Sequence, residues 1–346
     1  MDRKKQVLCI LLLLLLAGVT LFVVTQTTSG LDVDRITEFL GRIHPILLAL
    51  SVLAALSCVV VEGWILRMLS MRLGHSAPMK RSVMWAAADY YISGITPLAT
   101  GGQPAAAYFM QKDGVPLAEA SLLLVLNTTM YQGALFLLGI PGIIIALATP
   151  QVSISPGAAW MLVYGYVAIF AMLVVCVLCM VRGSLVRTIG IFFIRIFAKL
   201  HLVKNPARSL ASLNSALDEY GKTATLIGRD KKAVWATLGL NLLQRALAGI
   251  PICLLAIGLG VEPGLLPVIF SLNVLCIIGA SAFPIPGAAG VTELLFVLLL
   301  SPLLGKATET VMLITRLLVF YLCVLVGGVW TWARMVKRTP QTPEKD

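Results

Sequence analysis

The chain has 346 residues, 59% of them hydrophobic and only 12% charged, with a net charge of +11. This composition excludes a soluble globular domain, and the recurring apolar runs are long enough to cross a bilayer, so the chain reads as an all-α polytopic membrane protein. Its basic residues lie in short loops between apolar runs, a distribution that fits membrane topology and anionic headgroups rather than nucleic acid.

The run 7–25 follows Arg3, Lys4 and Lys5 and offers no A-x-A cleavage site, so it reads as an uncleaved first span. A short interfacial helix is expected over 31–44 and a second span, containing Glu62, over 45–69. Residues 83–112 start as a helix and are broken at Thr96-Pro97-Leu98-Ala99-Thr100-Gly101-Gly102-Gln103-Pro104. A long apolar segment, 116–148, is expected to be interrupted at Gly139-Ile140-Pro141-Gly142, and 158–181 is the next span. The basic interval 182–232 opens with an in-plane amphipathic helix, 185–202, with Arg187, Arg195 and Lys199 on one face. A more soluble helix, 207–228, follows it. Another span covers 233–259, and 265–304 contains a second break at Phe283-Pro284-Ile285-Pro286-Gly287-Ala288-Ala289-Gly290-Val291-Thr292-Glu293. The last span is 309–333. The expected organisation is one integral membrane domain, 1–338, whose helices over 185–228 are cytoplasmic, and a cytoplasmic tail, 339–346.

Charge gives the topology. If each broken segment leaves on the side where it came in, six full crossings remain and both termini lie inside. Of the 27 Lys and Arg, 22 then fall inside, 3 outside and 2, Arg245 and Arg316, within spans. Charge alone does not separate re-entrant hairpins from hairpins that cross fully. Trp64, Trp85, Trp235, Trp330 and Trp332 fall near inner ends and Trp160 near an outer end, as an interfacial belt requires. The two breaks come in from opposite sides, each between two full spans, which is the pattern of an inverted repeat. Pro97 and Gly101 share a spacing with Pro286 and Gly290, with Gln103 and Thr292 two residues further on.

The seven cysteines all lie in apolar runs, and the three histidines are scattered. Neither a disulfide framework nor a metal site follows, and no cofactor is expected. No catalytic or nucleotide-binding motif is present.

The polar groups at membrane depth are the candidate site. Each break is expected to lead into a half-helix, whose N-terminus is a natural anion site. Thr100 and Gln103 have capping-box spacing, Pro104 suits an early helical position, and Gly101 and Gly102 permit close approach of a ligand or another helix. Glu293 sits in the first turn after the second break, as a cap of its own half-helix or as a cavity acid. Asn241, Gln244 and Arg245 share one face, as do Asn127, Tyr131 and Gln132. Arg245 and Arg316 need a carboxylate, carbonyls or a phosphate, and Glu62 and Asp89 lie nearer the inner side. The structural alternative is a set of buried ion pairs, such as Glu293 with an arginine. Pro97, Pro104, Pro284, Pro286, Gly287 and Gly290 make the breaks.

The first break, with Ile95 before it and Met110, Asp113 and Gly114 after it, resembles one signature of the lysylphosphatidylglycerol synthase transmembrane region, the flippase-like domain. The stretch 283–293 resembles the second signature, and Arg316 with Phe320 and Tyr321 is similar to the pattern of the last span. The resemblance implies a lipid-handling membrane domain. In the multiple peptide resistance factor, such a domain carries lysylphosphatidylglycerol to the outer leaflet, and a separate soluble domain transfers the lysine. The chain ends about a dozen residues past its last expected span, so any lysyl transfer is expected to be supplied in trans.

The resulting expectation is a multi-pass protein of the bacterial cytoplasmic membrane that translocates or binds a phospholipid-type substrate such as lysylphosphatidylglycerol. Its substrate-binding residues would be Glu293, Arg245, Arg316, Asp89, Glu62, Gln103, Gly101, Gly102, Asn241 and Gln244. Expected partners are anionic and aminoacylated lipids, a separate aminoacyltransferase and, in a homo-oligomer, further copies of the chain. Two other readings are a membrane subunit of a phosphatidylglycerol lysyltransferase and a transporter of a small anion.

Overall fold

A computed structural model describes residues 33–182, 187–188, 191–192, 217, 220–221 and 223–336. The expected first span 7–25, most of the helix 185–202 and the tail 339–346 lie outside the described residues. Among the described residues the fold is all helical. A short helix, α1 (Val33–Arg42), precedes α2 (Pro45–Arg72). The first broken unit is α3 (Met79–Ile95), a 3-10 turn (Pro97–Ala99) and α4 (Gly102–Lys112). Two long helices follow, α5 (Leu117–Ala148) and α6 (Pro156–Val181), and then α7 (Lys231–Gly258). The second broken unit, led in by a 3-10 turn (Pro263–Leu265), is α8 (Leu266–Ala280), a 3-10 turn (Pro286–Ala288) and α9 (Val291–Leu304). Last come α10 (Thr308–Arg316), a π-helical turn (Leu317–Tyr321) and α11 (Leu322–Val336), which run on as one rod.

Local chemistry sets several helix starts. His44 caps α2, with Pro45 in the first turn, and Ser155 caps α6, with Pro156 following it. The Asp230 side chain accepts from the Ala233 N–H at the start of α7. One expectation fails here: α5 continues unbroken through Pro141. A proline inside a membrane helix is tolerated where neighbouring helices cover the freed backbone. Trp85 also departs from the interfacial belt, because it is fully buried and donates to Asp113 Oδ2 at 2.8 Å.

The arms of both broken units are shorter than the long helices around them. The arms have 17 and 11 residues in the first and 15 and 14 in the second. With the 3-10 turn that leads it in, the first arm of the second unit runs Pro263–Ala280 and is long and apolar enough to cross a membrane. Connectivity places the base of the first hairpin at the end that carries Arg72, Lys80, Lys112, Lys231 and Arg334, here the basic end. The base of the second lies at the opposite end, with Arg42 and Lys306. The two 3-10 turns at their tips touch each other. The two hairpins therefore come in from opposite ends and meet tip to tip.

The repeat is visible in the structure. A shift of 189 residues carries the turn Pro97–Ala99 onto Pro286–Ala288 and the first residue of α4, Gly102, onto the first residue of α9, Val291. Backbone angles match as well. Leu98 and Gly287 have φ of 53° and 58°, and Ala99 and Ala288 have 54° and 49°. One apolar core surrounds the first hairpin, built on Leu66, Trp85, Met110 and Leu122, and another surrounds the second, built on Leu272, Leu299 and Ile314. Small residues bring the helices together. A Cβ on Gly327 of α11 would lie 2.5 Å from the Ala87 carbonyl of α3, and one on Gly63 of α2 would lie 2.5 Å from the Val83 Cα.

Candidate functional site

The tip of the first hairpin is held by side chains. Thr96 leaves the helical conformation before Pro97, and its hydroxyl accepts from the Gly101 N–H at 3.0 Å while donating to the Ile92 carbonyl at 2.8 Å. The expected capping box of Thr100 and Gln103 does not form. Thr100 turns back to the Pro97 carbonyl at 3.0 Å, and Gln103 donates to Thr128 on α5. Pro104 is the third residue of α4, where its missing N–H costs little. Gly101 and Gly102 face α3. A Cβ on Gly102 would lie 1.9 Å from both Asp89 Oδ1 and Ser93 Oγ, and one on Gly101 would lie 2.7 Å from side-chain atoms of Ile92 and Thr96. The start of α4 thus rests directly on the Asp89 carboxylate.

The tip of the second hairpin is held by an ion pair. Glu293, 2% exposed, accepts from the Gly290 N–H at 2.7 Å through Oε2 and from Arg316 Nε at 2.8 Å through Oε1. Arg316 also donates to the Gly287 carbonyl at 2.9 Å and lies 4.8 Å from the Phe320 ring centre. Pro284 and Pro286 frame the extended stretch before the turn, and Gly290, at φ 83°, is the N-cap of α9. Glu293 is therefore both the cap of its half-helix and the partner of Arg316, so each of these two charges satisfies the other.

The second cluster is different. Arg245 lies 14 residues into α7, about 21 Å along it. Its guanidinium donates to the Tyr131 hydroxyl of α5 at 3.3 Å and lies 4.6 Å from that ring centre. Nε is buried with no hydrogen-bond partner, and no carboxylate lies within salt-bridge distance of the group among the described residues. The repeat shift carries Tyr131 onto Phe320, so an arginine sits over the equivalent ring in each half, but among the described residues Arg316 alone of the two has a carboxylate within salt-bridge distance.

Gln244, beside Arg245 and buried, reaches three acceptors from Nε2: the Cys58 carbonyl at 3.0 Å, the Tyr90 hydroxyl at 3.1 Å and Glu62 Oε2 at 3.2 Å. Glu62 and Asp89 lie within hydrogen-bonding reach of each other. The Ser93 hydroxyl lies 2.8 Å from Asp89 Oδ1 and 3.3 Å from the Ala99 carbonyl at the hairpin tip. One turn before Arg245, Asn241 donates to Asn127 Oδ1 at 3.1 Å and leaves its own Oδ1 without a partner. Glu62, Asp89, Tyr90, Tyr131 and Arg245 all keep part of their surface accessible although protein surrounds them. Both tips are accessible too, with Leu98 53% and Ile285 38% exposed.

Of the predicted residues, the fold brings Glu62, Asp89, Gln244 and Arg245 into one cluster, with Asn241 a turn away and Gly102 against Asp89. It places Glu293 and Arg316 together at the second tip, and Gln103 on α5. Sequence reasoning missed Tyr90 and Ser93. Ser93 stands four residues after Asp89, one helical turn, which is a readable signal. It also missed Asp113, which accepts from Trp85 and pairs with Arg334, the latter 13% exposed and lying over Phe109, at the base of the first hairpin. His75 and Glu119, 2.7 Å apart, and Arg72 and Asp230, 2.9 Å apart, close the same end. Among the described residues no group of three or more His, Cys, Asp or Glu is placed to hold a metal ion.

Among known families, residues 8–327 match the model of one described as the lysylphosphatidylglycerol synthase TM region. No curated protein matches the chain.

Proposed function

Because the chain belongs to the lysylphosphatidylglycerol synthase transmembrane-region family, we propose that it binds a phospholipid-type substrate at mid-membrane and passes the headgroup from one leaflet to the other. The observation that carries this reading is Arg245, a guanidinium at membrane depth with a free Nε and no carboxylate partner among the described residues. A lipid phosphate supplies what such a group lacks, since guanidinium and phosphate match in charge and geometry. Glu62 on the neighbouring α2 and Asp89 on α3 offer the opposite charge to an ammonium on the same headgroup. An aminoacylated phosphatidylglycerol such as lysylphosphatidylglycerol carries both groups. Leu98 and Ile285, apolar and accessible at the meeting tips, suit acyl chains and favour a lipid over a small soluble anion.

On this reading the basic end is cytoplasmic, as the positive-inside rule requires. Both termini then face the cytoplasm, and the protein sits in the bacterial cytoplasmic membrane as one domain. A separate aminoacyltransferase makes the lipid, and its export lowers negative surface charge and raises resistance to cationic peptides.

The test places lysylphosphatidylglycerol in the inner leaflet of proteoliposomes and follows its exposure with an amine-reactive, membrane-impermeant dye. Arg245→Ala should slow exposure at least about ten-fold, the equivalent of about 1.4 kcal/mol, and Arg245→Lys should restore part of it. Equal rates for Arg245→Ala and the unsubstituted protein, at equal protein content, exclude this site.

A further inference from the structure

The Glu62 and Asp89 carboxyls come from different helices, α2 and α3, and lie within hydrogen-bonding reach of each other. Two bare carboxylates at that distance repel, and a proton between them turns repulsion into a hydrogen bond. The groups facing the pair are Tyr90 and Ser93 on α3, Gln244 and Arg245 on α7 and Cys58 on α2, while Tyr131 on α5 faces Arg245 and Cys323 on α11 faces Tyr90. Arg245 is the cation among them. With both carboxyls ionised the cluster carries a net charge of −1, which is costly at membrane depth. One proton makes it neutral. A monovalent cationic group in place of that proton makes it neutral as well.

We propose that the Glu62–Asp89 pair is a proton-exchange site, holding one proton in the unliganded protein and releasing it when the ammonium group of a lipid headgroup takes its place. The proposal rests on the headgroup reading above and gives that site its coupling. No covalent bond forms or breaks. The proton leaves to water, and the ammonium N–H groups take over the hydrogen bond that the two carboxyls had shared. The exchange also reaches the hairpin. Asp89 is held by Ser93, whose hydroxyl lies equally within reach of the Ala99 carbonyl, and Gly102 at the start of α4 leaves no room beside Asp89. A change of charge on Asp89 is therefore felt at the tip that meets the second hairpin.

The experiment uses the purified full chain in nanodiscs and has two readouts. Infrared difference spectra between about pH 5 and about pH 9 follow the C=O stretch of protonated carboxyl groups without any aminoacylated lipid. The unsubstituted protein should show a buried carboxylic acid band that Glu62→Gln and Asp89→Asn each remove, because one remaining carboxylate is balanced by Arg245. Tyr90→Phe, which keeps both carboxyls, should retain it. The second readout adds lysylphosphatidylglycerol in weak buffer with a pH-sensitive dye. About one proton should be released per lipid bound, and none from either carboxyl variant. A missing band in the unsubstituted protein, or a band that survives both substitutions, overturns the proposal even if lipid binds. Lipid binding without proton release overturns the exchange. Failure of the lipid to bind refutes the headgroup reading instead, and the band still decides whether the pair carries the proton.

Discussion

Removing one member of the Glu293–Arg316 pair should cost far more than removing both. Glu293→Gln leaves the Arg316 guanidinium, 13% exposed, without its carboxylate, on the Gly287 carbonyl and the Phe320 and Tyr321 rings. Breaking a buried pair in this way costs about 3–5 kcal/mol. Arg316→Met strands Glu293 by the same logic and should cost a similar amount. Glu293→Gln combined with Arg316→Met removes both charges, and the glutamine amide oxygen still accepts from the Gly290 N–H, so the double variant should lose only about 1–2 kcal/mol. The cycle therefore predicts a coupling of at least about 3 kcal/mol, far outside the roughly 0.3–0.5 kcal/mol scatter of independent sites. Reversible unfolding in mixed micelles, followed by tryptophan emission, measures all four corners. Singles below about 1 kcal/mol that add within about 0.5 kcal/mol would refute the pairing. If those same variants still abolished lipid exposure, Glu293 would be a substrate group and not a structural one.

Other outcomes follow from particular contacts. Gly287→Ala puts a Cβ 2.3 Å from the Phe320 ring on a residue with φ of 58°, so thermal stability in detergent should fall by about 1–3 kcal/mol, and Phe320→Leu should recover part of that. Gly102→Ala pushes on Asp89 and Ser93 and should slow lipid exposure about ten-fold or more while stability changes by less than about 2 kcal/mol; an unchanged rate would mean that the start of α4 has no part in transport. Single cysteines at Gly114 and Lys306, in a background with the native cysteines replaced, should react with an impermeant thiol reagent from opposite faces of the membrane. Labelling from one face would refute the opposed hairpins. Arg334→Ala should release the base of the first hairpin and raise hydrogen exchange over 102–116, with little change over 291–304.

The breaks and their register were legible in the sequence because proline and glycine act locally. Pro97 and Pro286 fix where each turn begins, and the matched spacing to Gly101 and Gly290 already contained the shift of 189 residues that the two turns obey. The same signal misled at 139–142. There the glycines serve close packing, since a Cβ on Gly139 would meet the Tyr166 hydroxyl at 1.9 Å and Gly142 lies beside α8, and α5 runs through Pro141. Tip-to-tip contact of the hairpins was out of reach, because charge counting fixes the face from which a segment comes in and carries no depth. Partner choice among buried charges was equally hidden. Arg245 and Arg316 are both lone arginines within apolar spans, and only the tertiary fold gives Glu293 to one and, among the described residues, places no carboxylate within salt-bridge distance of the other. The Asp113–Arg334 contact spans 221 residues, beyond any local pattern.

The packing of α11 against α3 also sets an order in time. The first hairpin is made early, yet one of its arms rests on the last helix, through Gly327 at Ala87, and its base is tied by Arg334 to Asp113. From Ile95 to Val336 is 241 residues of further synthesis, roughly 10–50 s at ordinary ribosomal rates. Throughout that interval a hairpin broken at its tip, whose freed backbone groups lipid cannot satisfy, has no complete protein surround. The N-terminal half is thus not a module that matures by itself. It waits for the C-terminal helix to arrive, and a chain cut before Leu322 should be recognised by membrane proteases as unfinished.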